Sequence, residues 1–226
     1  SHEPEMCTST PSGSTSRPMP SAPAARPPSL QLPSAMMPAF MVLCGSSWEN
    51  KMKLNLQVTR LQDGAKVPVH VVAAGKLDFQ QTASMGWQTN WKTMDTAYFP
   101  NRVALKTEEQ ELLGLMSYSC DDRFLAVELV YLESQPESNA NLLHQNGQEK
   151  KYQGIAKALF AYAVQESINH GYDGVVLFKA KTDTLLEYYL HEFGARPVGR
   201  YDPFRLVLWE DAAQRLIAEY EVNADE

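Results

Sequence analysis

The stretch Glu149–Val164, EKKYQGIAKALFAYAV, decides the fold because it joins a long polar loop to an apolar helix. Ile155, Leu159 and Ala163 recur at helical spacing and predict one buried helix face. The first N–H groups of a helix have no intrahelical acceptor and lie at the positive end of the helix dipole, so they bind anions. Gly154, just before this helix, lets an anion approach the backbone closely. The stretch therefore predicts an anion-binding helix start.

The charge of the chain limits what this anion is. The formal net charge is -7, which argues against nucleic acid or an anionic membrane as a partner, since both attract clustered Lys and Arg. Lys150, Lys151 and Lys157 nevertheless surround the helix start and favour a small polyphosphate. The sequence contains neither GxxxxGK[ST] nor GxGxxG, so a P-loop and a dinucleotide-binding turn are both excluded.

Three strands are predicted before this stretch, at Val103–Thr107, Glu111–Ser119 and Arg123–Leu132. The turns between them are short and polar, which is typical of an antiparallel meander. The polar segment Gln135–Lys151 follows as a loop, and its length is a hint of function.

A buried strand is predicted after the helix, at Gly174–Lys181. A strand, a helix and a second strand form a right-handed βαβ unit, so this strand is expected to lie parallel to the last strand of the meander. Further elements are predicted on both sides: early strands at Leu54–Leu61 and Lys66–Gly75, a helix at Ala83–Met94 with Trp87 and Trp91 in the core, a helix from Thr182 to Gly194, strands at Ala195–Tyr201 and Pro203–Trp209, and a helix at Glu210–Tyr220.

The first segment of the chain differs in composition from the rest. Ser1–Asn50 carries nine of the 14 prolines and many serines, so we expect it to be disordered and the folded domain to be Lys51–Glu226. The apolar run Ala35–Cys44 is too short to span a membrane. Three widely spaced cysteines predict a reduced, cytoplasmic protein with no metal site, and Cys120 is not expected to be a nucleophile.

Two motifs carry a family resemblance. KYQGIA, Lys151–Ala156, resembles the [QR]-x-x-G-x-[GA] acyl-CoA motif of the GNAT superfamily of N-acyltransferases, with lysine where the family usually has glutamine or arginine. YYLHEFGAR, Tyr188–Arg196, resembles the family's Y-x-x-x-G-F region with one extra residue before the glycine. The resemblance covers about Val103 to Tyr220 and is to bacterial-type, single-domain acetyltransferases.

The resemblance implies an α+β fold with a mixed, mostly antiparallel sheet, flanking helices and a splayed pair of parallel strands. Those strands contain Val130 and Val176, and acetyl-CoA is expected to lie between them. By the same resemblance, the pantetheine arm pairs with the first strand and the pyrophosphate binds the backbone at the helix start. The expected contacts are Val130, Tyr131, Leu132, Lys151, Tyr152, Gln153, Gly154, Ile155, Ala156 and Lys157.

Acyl transfer to an amine needs a base for the amine and an acid for the departing thiolate. Glu133 is the preferred base because it ends the last strand of the meander, although an exposed carboxylate at a strand end is an equal interpretation. Glu128 is the second candidate. By the resemblance Tyr189 is the preferred acid, with a packed core aromatic as its alternative and Tyr188 as the substitute.

The leading hypothesis is therefore an acetyl-CoA-dependent N-acetyltransferase in the cytoplasm, without nucleic acid, membrane or metal partners. Its acceptor is a small-molecule or protein amine, expected near Trp87–Asn101 and Gln135–Gln148. A homodimer is left open. The alternatives are a catalytically silent GNAT-like module that binds CoA or a protein partner, and a plain α/β interaction domain that binds no ligand.

Overall fold

The structure is a computed structural model that describes residues 54–139, 143 and 149–221. The predicted disordered segment Ser1–Asn50 lies outside the described residues. The described strands are β1 Gln57–Arg60, β2 Lys66–Ala73, β3 Asn101–Thr107, β4 Leu112–Asp121, β5 Ala126–Ser134, β6 Tyr152–Gln153, β7 Val176–Lys179, β8 Arg196–Pro197 and β9 Arg205–Leu208. The helices are α1 Lys76–Ser84, α2 Ile155–Asn169, α3 Asp183–Glu192 and α4 Glu210–Ala218, and a 3-10 turn covers Pro136–Ser138.

Across the described residues the strands form one sheet in the order β6-β1-β2-β3-β4-β5-β7-β9-β8. The meander β3-β4-β5 is antiparallel, as predicted, and β4 lies near the middle of the sheet with most of its residues buried. β7 pairs with β5 in parallel, and every other pairing in the order is antiparallel. The predicted mixed, mostly antiparallel sheet with one parallel pair is confirmed.

The parallel pair separates soon after it forms. β5 and β7 are in register at Val127 with Val176 and at Glu128 with Leu177, while β5 continues to Ser134. The register between β4 and β5 shifts where Ser117 faces Tyr131 and Tyr118 faces Leu129, which leaves Val130 as an extra residue. A bulge of this kind bends a strand and increases its twist. We call the resulting gap, between β5 from Leu129 onward and β7 from Phe178 onward, the fork.

The sheet has two differently covered faces. On the face that we call the helical face, α2, α3 and α4 pack against a large apolar cluster that includes Leu113, Val127, Phe178 and Leu206. On the opposite face, which we call the loop face, α1 and the segment after it cover a smaller cluster around Trp91. The long helix α2 buries one side and ends at His170, in agreement with the sequence pattern.

The predicted helix at Ala83–Met94 is wrong. The observed helix, α1, lies earlier and ends at Ser84, because Gly75 begins it and the Gly75 N–H donates to Asp78 Oδ2 at 2.8 Å. Gly86 then adopts φ 76°, in the left-handed region, and the chain continues in turns. The tryptophans on this segment are core residues, as predicted, with Trp91 fully buried.

The elements around the helix start are tied to the sheet. Strand β6, which the sequence did not predict because it has two residues, pairs with β1 through Gln153 with Thr59 and Tyr152 with Arg60. The predicted helix after Thr182 is confirmed as α3, and the Thr182 hydroxyl accepts a hydrogen bond from the Leu185 N–H at 3.2 Å. No helix in the described part of the chain is long and apolar enough to cross a membrane.

Candidate functional site

The first turn of α2 lies over the far end of β5. Gly154 precedes the helix with φ 96°, and a Cβ built on it would meet no heavy atom within 4 Å. The first backbone bond of the helix runs from the Ala158 N–H to the Gly154 carbonyl at 2.9 Å. The N–H groups of Ile155, Ala156 and Lys157 precede that bond, and such groups are satisfied by ligands, water or side chains. The backbone here has open space beside it and donors in a row.

A glycine on β4 sets the position of this turn. A Cβ on Gly114 would lie 2.8 Å from Ile155 Cγ2, 3.0 Å from Leu159 Cδ1 and 3.4 Å from the Glu133 carbonyl oxygen. The helix therefore packs where a side chain is missing, directly above the end of β5. This packing brings the first N–H groups of α2, which precede its first backbone hydrogen bond, to the open end of the fork.

Two of the three lysines near the helix start, Lys151 and Lys157, are paired with carboxylates. Lys151 Nζ lies 2.7 Å from Glu111 Oε1 and 3.5 Å from Glu137 Oε2, and the hydrogen bond to Glu111 raises the pKa of Lys151. Lys157 Nζ lies 2.6 Å from Glu219 Oε1. The first pair holds the loop against the sheet and the second joins α2 to the end of α4, so the backbone rather than these two lysines offers the open donors at this position.

Tyr152 and Gln153 are likewise held by the protein. The Tyr152 hydroxyl donates to Glu111 Oε2 at 2.9 Å, and its N–H donates to Ser138 Oγ at 3.0 Å. Tyr152 is buried, while Gln153 pairs with β1 and has an exposed side chain. The structure thus places both residues beside the helix start, and their contact with a ligand stays a prediction.

Tyr189 lies on the helical face at the beginning of the fork. Its ring centroid lies 5.0 Å from that of Phe178, 5.5 Å from that of Phe160 and 5.5 Å from that of Phe193. Burial in this aromatic group raises the pKa of Tyr189 to about 12. The phenol is therefore protonated throughout the neutral range and can only donate its proton there. Tyr188, its neighbour, is 42% exposed.

Glu133 lies on the loop face and is buried, with 4% of its surface exposed. Its Oε1 accepts a hydrogen bond from the Gln88 N–H at 2.7 Å, and its Oε2 accepts one from Trp91 Nε1 at 2.9 Å. The carboxylate thus anchors the segment after α1 to β5. A role for Glu133 as a base stays a prediction, and any proton that it accepts must use the second lone pair of one of these oxygens.

Tyr131 holds the same part of β5 against the loop face. Its hydroxyl lies 2.7 Å from Thr89 Oγ1, and its ring makes edge contacts with Trp91 and Phe99. Lys181 Nζ, from the segment after β7, lies 3.6 Å from the centre of this ring. The splayed half of β5 is therefore fixed by side chains on the loop face, so that its edge toward β7 stays open.

A cavity of about 460 Å³ opens at the fork on the loop face, within the size range of small-molecule sites. Its apolar wall comes from both strands of the fork, and the predicted acceptor segment Trp87–Asn101 contributes part of the rim. The lining residues are Ala97, Tyr98, Pro100, Ser119, Glu128, Leu129, Val130, Phe178, Lys179, Asp202 and Arg205. Phe178 lines this cavity, and its ring also contacts that of Tyr189 on the helical face.

Four charged side chains surround the cavity, two of each sign. Lys179 Nζ lies 2.7 Å from Asp202 Oδ2, and Arg205 Nη2 lies 3.4 Å from Glu128 Oε1. The hydrogen bond from Lys179 lowers the pKa of Asp202. All four side chains are 40 to 65% exposed, so solvent and a ligand can reach them.

Comparison with known proteins finds matches among solved structures. No protein-family model matches the chain, and no curated protein matches it. Among solved structures, a GNAT-family acetyltransferase from Listeria monocytogenes is 12% identical with a TM-score of 0.42, over 67% of this chain and 98% of that chain.

Two further acetyltransferase structures give similar values. An acetyltransferase of the GNAT family from Staphylococcus aureus is 10% identical with a TM-score of 0.40, over 62% of this chain and 96% of that chain. A variant spermidine N-acetyltransferase from Vibrio cholerae is 12% identical with a TM-score of 0.41, over 62% of this chain and 90% of that chain.

Three residues of this site were missed in the sequence. Lys179, Asp202 and Arg205 lie on β7, on the turn before β9 and on β9, far along the chain from Glu128. Only the strand order β5-β7-β9 brings them together. Glu128 was noticed as a second candidate base, but its cavity was not. The only available signal in the sequence was a charged residue at the end of β7, Lys179, and another at the beginning of β9, Arg205.

Proposed function

We propose that the chain is an acyl-CoA-dependent N-acyltransferase that moves an acetyl group from acetyl-CoA to a primary amine. The observation that carries this proposal is the fork: a bulged β5, a parallel contact with β7 limited to two residue pairs, and the free N–H groups of α2 at the open end. An extended amide-containing chain can pair with an open strand edge, and a pyrophosphate can bind a helix start.

The residues present fit such a ligand. The open edge of β5 at Val130, Tyr131 and Leu132 would pair with the amides of the pantetheine arm. The N–H groups from Gln153 to Lys157 would hold the pyrophosphate, and the open space at the Gly154 Cβ position leaves room for its close approach. The acetyl thioester that acetyl-CoA supplies would then lie near the beginning of the fork, between the cavity and Tyr189.

The chain's own groups can serve the two proton transfers. An amine in the cavity approaches from the loop face, and Glu133, five residues or roughly 15 Å along β5 from Glu128, takes its proton through a chain of water molecules that ends at a remaining lone pair. Tyr189 gives its proton to the departing thiolate from the helical face. The raised pKa of Tyr189 keeps that proton in place until the thiolate forms. Glu128, at the cavity wall, is assigned to binding the amine rather than to taking its proton.

Two measurements test this function. Acetyl-CoA at millimolar concentration is expected to raise the melting temperature, because a ligand that binds only the folded state stabilises it by about 2.7 kcal/mol at a hundred times its Kd. Thiol release from acetyl-CoA is then measured over a panel of primary amines. Absence of both stabilisation and amine-dependent thiol release would overturn the proposal.

A catalytically silent CoA-binding module is the second candidate. It is favoured by Glu133, whose two oxygens both accept hydrogen bonds from the protein and whose side chain is buried. Stabilisation by CoA without thiol release for any amine class would support this candidate over the enzyme. A cytoplasmic location and a homodimer stay predictions from the sequence.

A further inference from the structure

The charged rim of the cavity has a pattern that bears on the acceptor. Glu128 and Asp202 contribute two negative charges, and Lys179 and Arg205 contribute two positive charges. The rim is therefore neutral overall, although the chain carries a formal net charge of -7. A site that selects a polycation by charge needs an excess of carboxylates, and this rim lacks that excess.

The two cations occupy opposing positions on neighbouring strands. Lys179 on β7 is the register partner of Arg205 on β9. Like charges directly opposite each other in a sheet are destabilising, and here each needs a separate carboxylate, Asp202 or Glu128, to compensate it. Adjacent Lys and Arg side chains also form a favourable site for a carboxylate, which an arginine can bind through two parallel hydrogen bonds.

The ion pairs at the rim are suited to exchange with a ligand. The Arg205–Glu128 distance of 3.4 Å is long, and each side chain is more than 40% exposed. Exposed ion pairs of this kind contribute little to stability. A ligand with one negative and one positive group can therefore separate such a pair and bind both of its residues, so that no charge is left uncompensated.

The rim also has a direction. Glu128 pairs with Leu177 at the last parallel contact before the fork, whereas Lys179 and Arg205 lie farther along β7 and β9. An ammonium group at Glu128 would thus lie beside the beginning of the fork, where the proposed acyl group is. A carboxylate at Lys179 and Arg205 would lie two residues farther along β7 than the ammonium group.

We propose that the acceptor is a zwitterion, an amino acid or a similar small molecule that carries a carboxylate near its primary amine. This inference rests on the proposed function. The carboxylate lies between Lys179 and Arg205, and the amine lies at Glu128. The ammonium group loses one proton to the base, the resulting amine nitrogen bonds to the acyl carbon and releases a second proton, the carbon–sulfur bond breaks, and the thiolate takes a proton from Tyr189, which the second proton replaces. The product keeps its carboxylate and loses its positive charge, which removes its attraction to Glu128 and favours release.

Matched acceptor pairs test this inference. Phenylalanine is compared with 2-phenylethylamine and lysine with cadaverine, since the members of each pair differ only in the carboxylate. Thiol release from acetyl-CoA is expected to have a kcat/KM about tenfold or more higher for the carboxylated member, as expected for hydrogen bonds to a charged group. Arg205→Gln and Lys179→Gln are each expected to remove most of this preference by raising KM for the amino acids, with little change for the decarboxylated amines.

A control variant and a binding readout complete the experiment. Arg200→Gln changes an exposed arginine outside the cavity lining, so its preference is expected to equal that of the wild type. Calorimetric titration of phenylalanine and 2-phenylethylamine into the CoA-saturated protein gives a second readout that needs no turnover. Equal or better use of the decarboxylated amines, with no difference in binding, would overturn the zwitterion and leave the acyltransferase standing. Loss of acetyl-CoA stabilisation and of all thiol release would instead overturn the function and the inference together.

Discussion

The two ends of the fork use different parts of the chain. At the start of α2 the exposed donors are backbone N–H groups, and the nearby side chains of Lys151 and Lys157 are occupied by carboxylates. At the cavity, the charged groups are side chains from three separate segments, and each remains accessible. The first end depends on local backbone geometry, while the second depends on which strands are neighbours.

This difference separates an invariant task from a variable one. A pyrophosphate can be held by any backbone that begins a helix after a suitable glycine, so side chains there are free to stabilise the fold. An acceptor must be distinguished from other amines, and only side chains supply that discrimination. Substitutions at the acyl-CoA end should therefore abolish cofactor binding, whereas substitutions at the cavity should change the choice of acceptor.

The largest effect is expected from Gly154→Glu. A side chain at this position would occupy the open space beside the N–H groups and place a negative charge where the pyrophosphate binds, so stabilisation by acetyl-CoA should disappear in a thermal shift assay. Gly171→Glu is the matched control, because Gly171 has φ 78° and also has no neighbour within 4 Å of a built Cβ. Both variants carry a strain of about 1–3 kcal/mol, and only the first should lose the ligand. An unchanged shift in Gly154→Glu would remove α2 from the binding site.

Tyr189→Phe is expected to lower kcat about a hundredfold, the usual scale for a missing general acid. The raised pKa, about 12, means that the wild-type phenol stays protonated as pH rises to 10. The rate should thus increase with pH while the amine deprotonates, with no decrease from the tyrosine below about pH 11. A full rate in Tyr189→Phe would contradict the assignment. So would a wild-type rate that already decreases near neutral pH, if Tyr189→Phe removes that decrease. Tyr188→Phe serves as the control.

Substitution of the two glutamates on β5 should separate a buried carboxylate from an exposed one. In Glu133→Gln the amide NH₂ must face the Gln88 N–H or Trp91 Nε1, so the free energy of unfolding should fall by about 1–3 kcal/mol. Because Glu133 is the proposed base, the Glu133→Gln substitution should also lower kcat. Glu128→Gln removes an exposed charge, should change stability by less than about 0.5 kcal/mol, and should raise KM for the acceptor. Denaturant unfolding and steady-state kinetics measure both. A kcat loss confined to Glu128→Gln would exchange the two roles.

Gly114→Ala tests how the sheet positions α2. Its Cβ would lie 2.8 and 3.0 Å from the Ile155 and Leu159 side chains, and overpacking of this kind costs about 1–3 kcal/mol. We expect weaker acetyl-CoA binding as well, since the first turn of α2 must shift away from β5. Gly75→Ala is the comparison, because its nearest contact would be 3.8 Å. Equal acetyl-CoA affinity in the two variants would mean that the position of α2 over Gly114 is not required for acetyl-CoA binding.

The smallest effect is expected from Lys151→Met. Lys151 is paired with Glu111 and lies near Glu137, and partly exposed pairs contribute only about 0–1 kcal/mol. Affinity for acetyl-CoA in a calorimetric titration should therefore fall by no more than about fivefold. A hundredfold loss of affinity would show that the lysine binds a phosphate directly. Side chains would then contribute to binding at the start of α2 as they do at the cavity.

Sequence patterns revealed the backbone end of the fork and little of the other end. Local signals predicted α2 and β7: Gly154, the spacing of Ile155 and Leu159, and the apolar strand that follows the helix. The parallel pairing of β7 with β5 was then expected from the strand–helix–strand order. The bulge at Val130 has no such signal, because it depends on how β4 and β5 align. The burial of Glu133 was also unpredictable, since its partner Trp91 lies in a segment for which we predicted a helix.

The misplaced helix has a specific cause. Trp87 and Trp91 have helical spacing, but they are buried by turns that fold over the loop face rather than by a helix. Helical spacing indicates only that two side chains face the same way. Trp91, which is bonded to Glu133, and Trp87, which packs in the loop-face cluster, do so without a helix between them. The cavity rim was hidden for a related reason, since Lys179 and Arg205 are neighbours only after β7 and β9 pair.

Amide hydrogen exchange with and without acetyl-CoA tests the central claim, that an acyl-CoA binds in the fork between β5 and β7. We predict that acetyl-CoA slows exchange at two places: the β5 amides from Leu129 to Leu132 that face the fork, and the first amides of α2 from Ile155 to Lys157. The β1 to β3 amides should be unchanged and serve as the internal control. Slowed exchange confined to other elements, or no change at saturating acetyl-CoA, would contradict the claim.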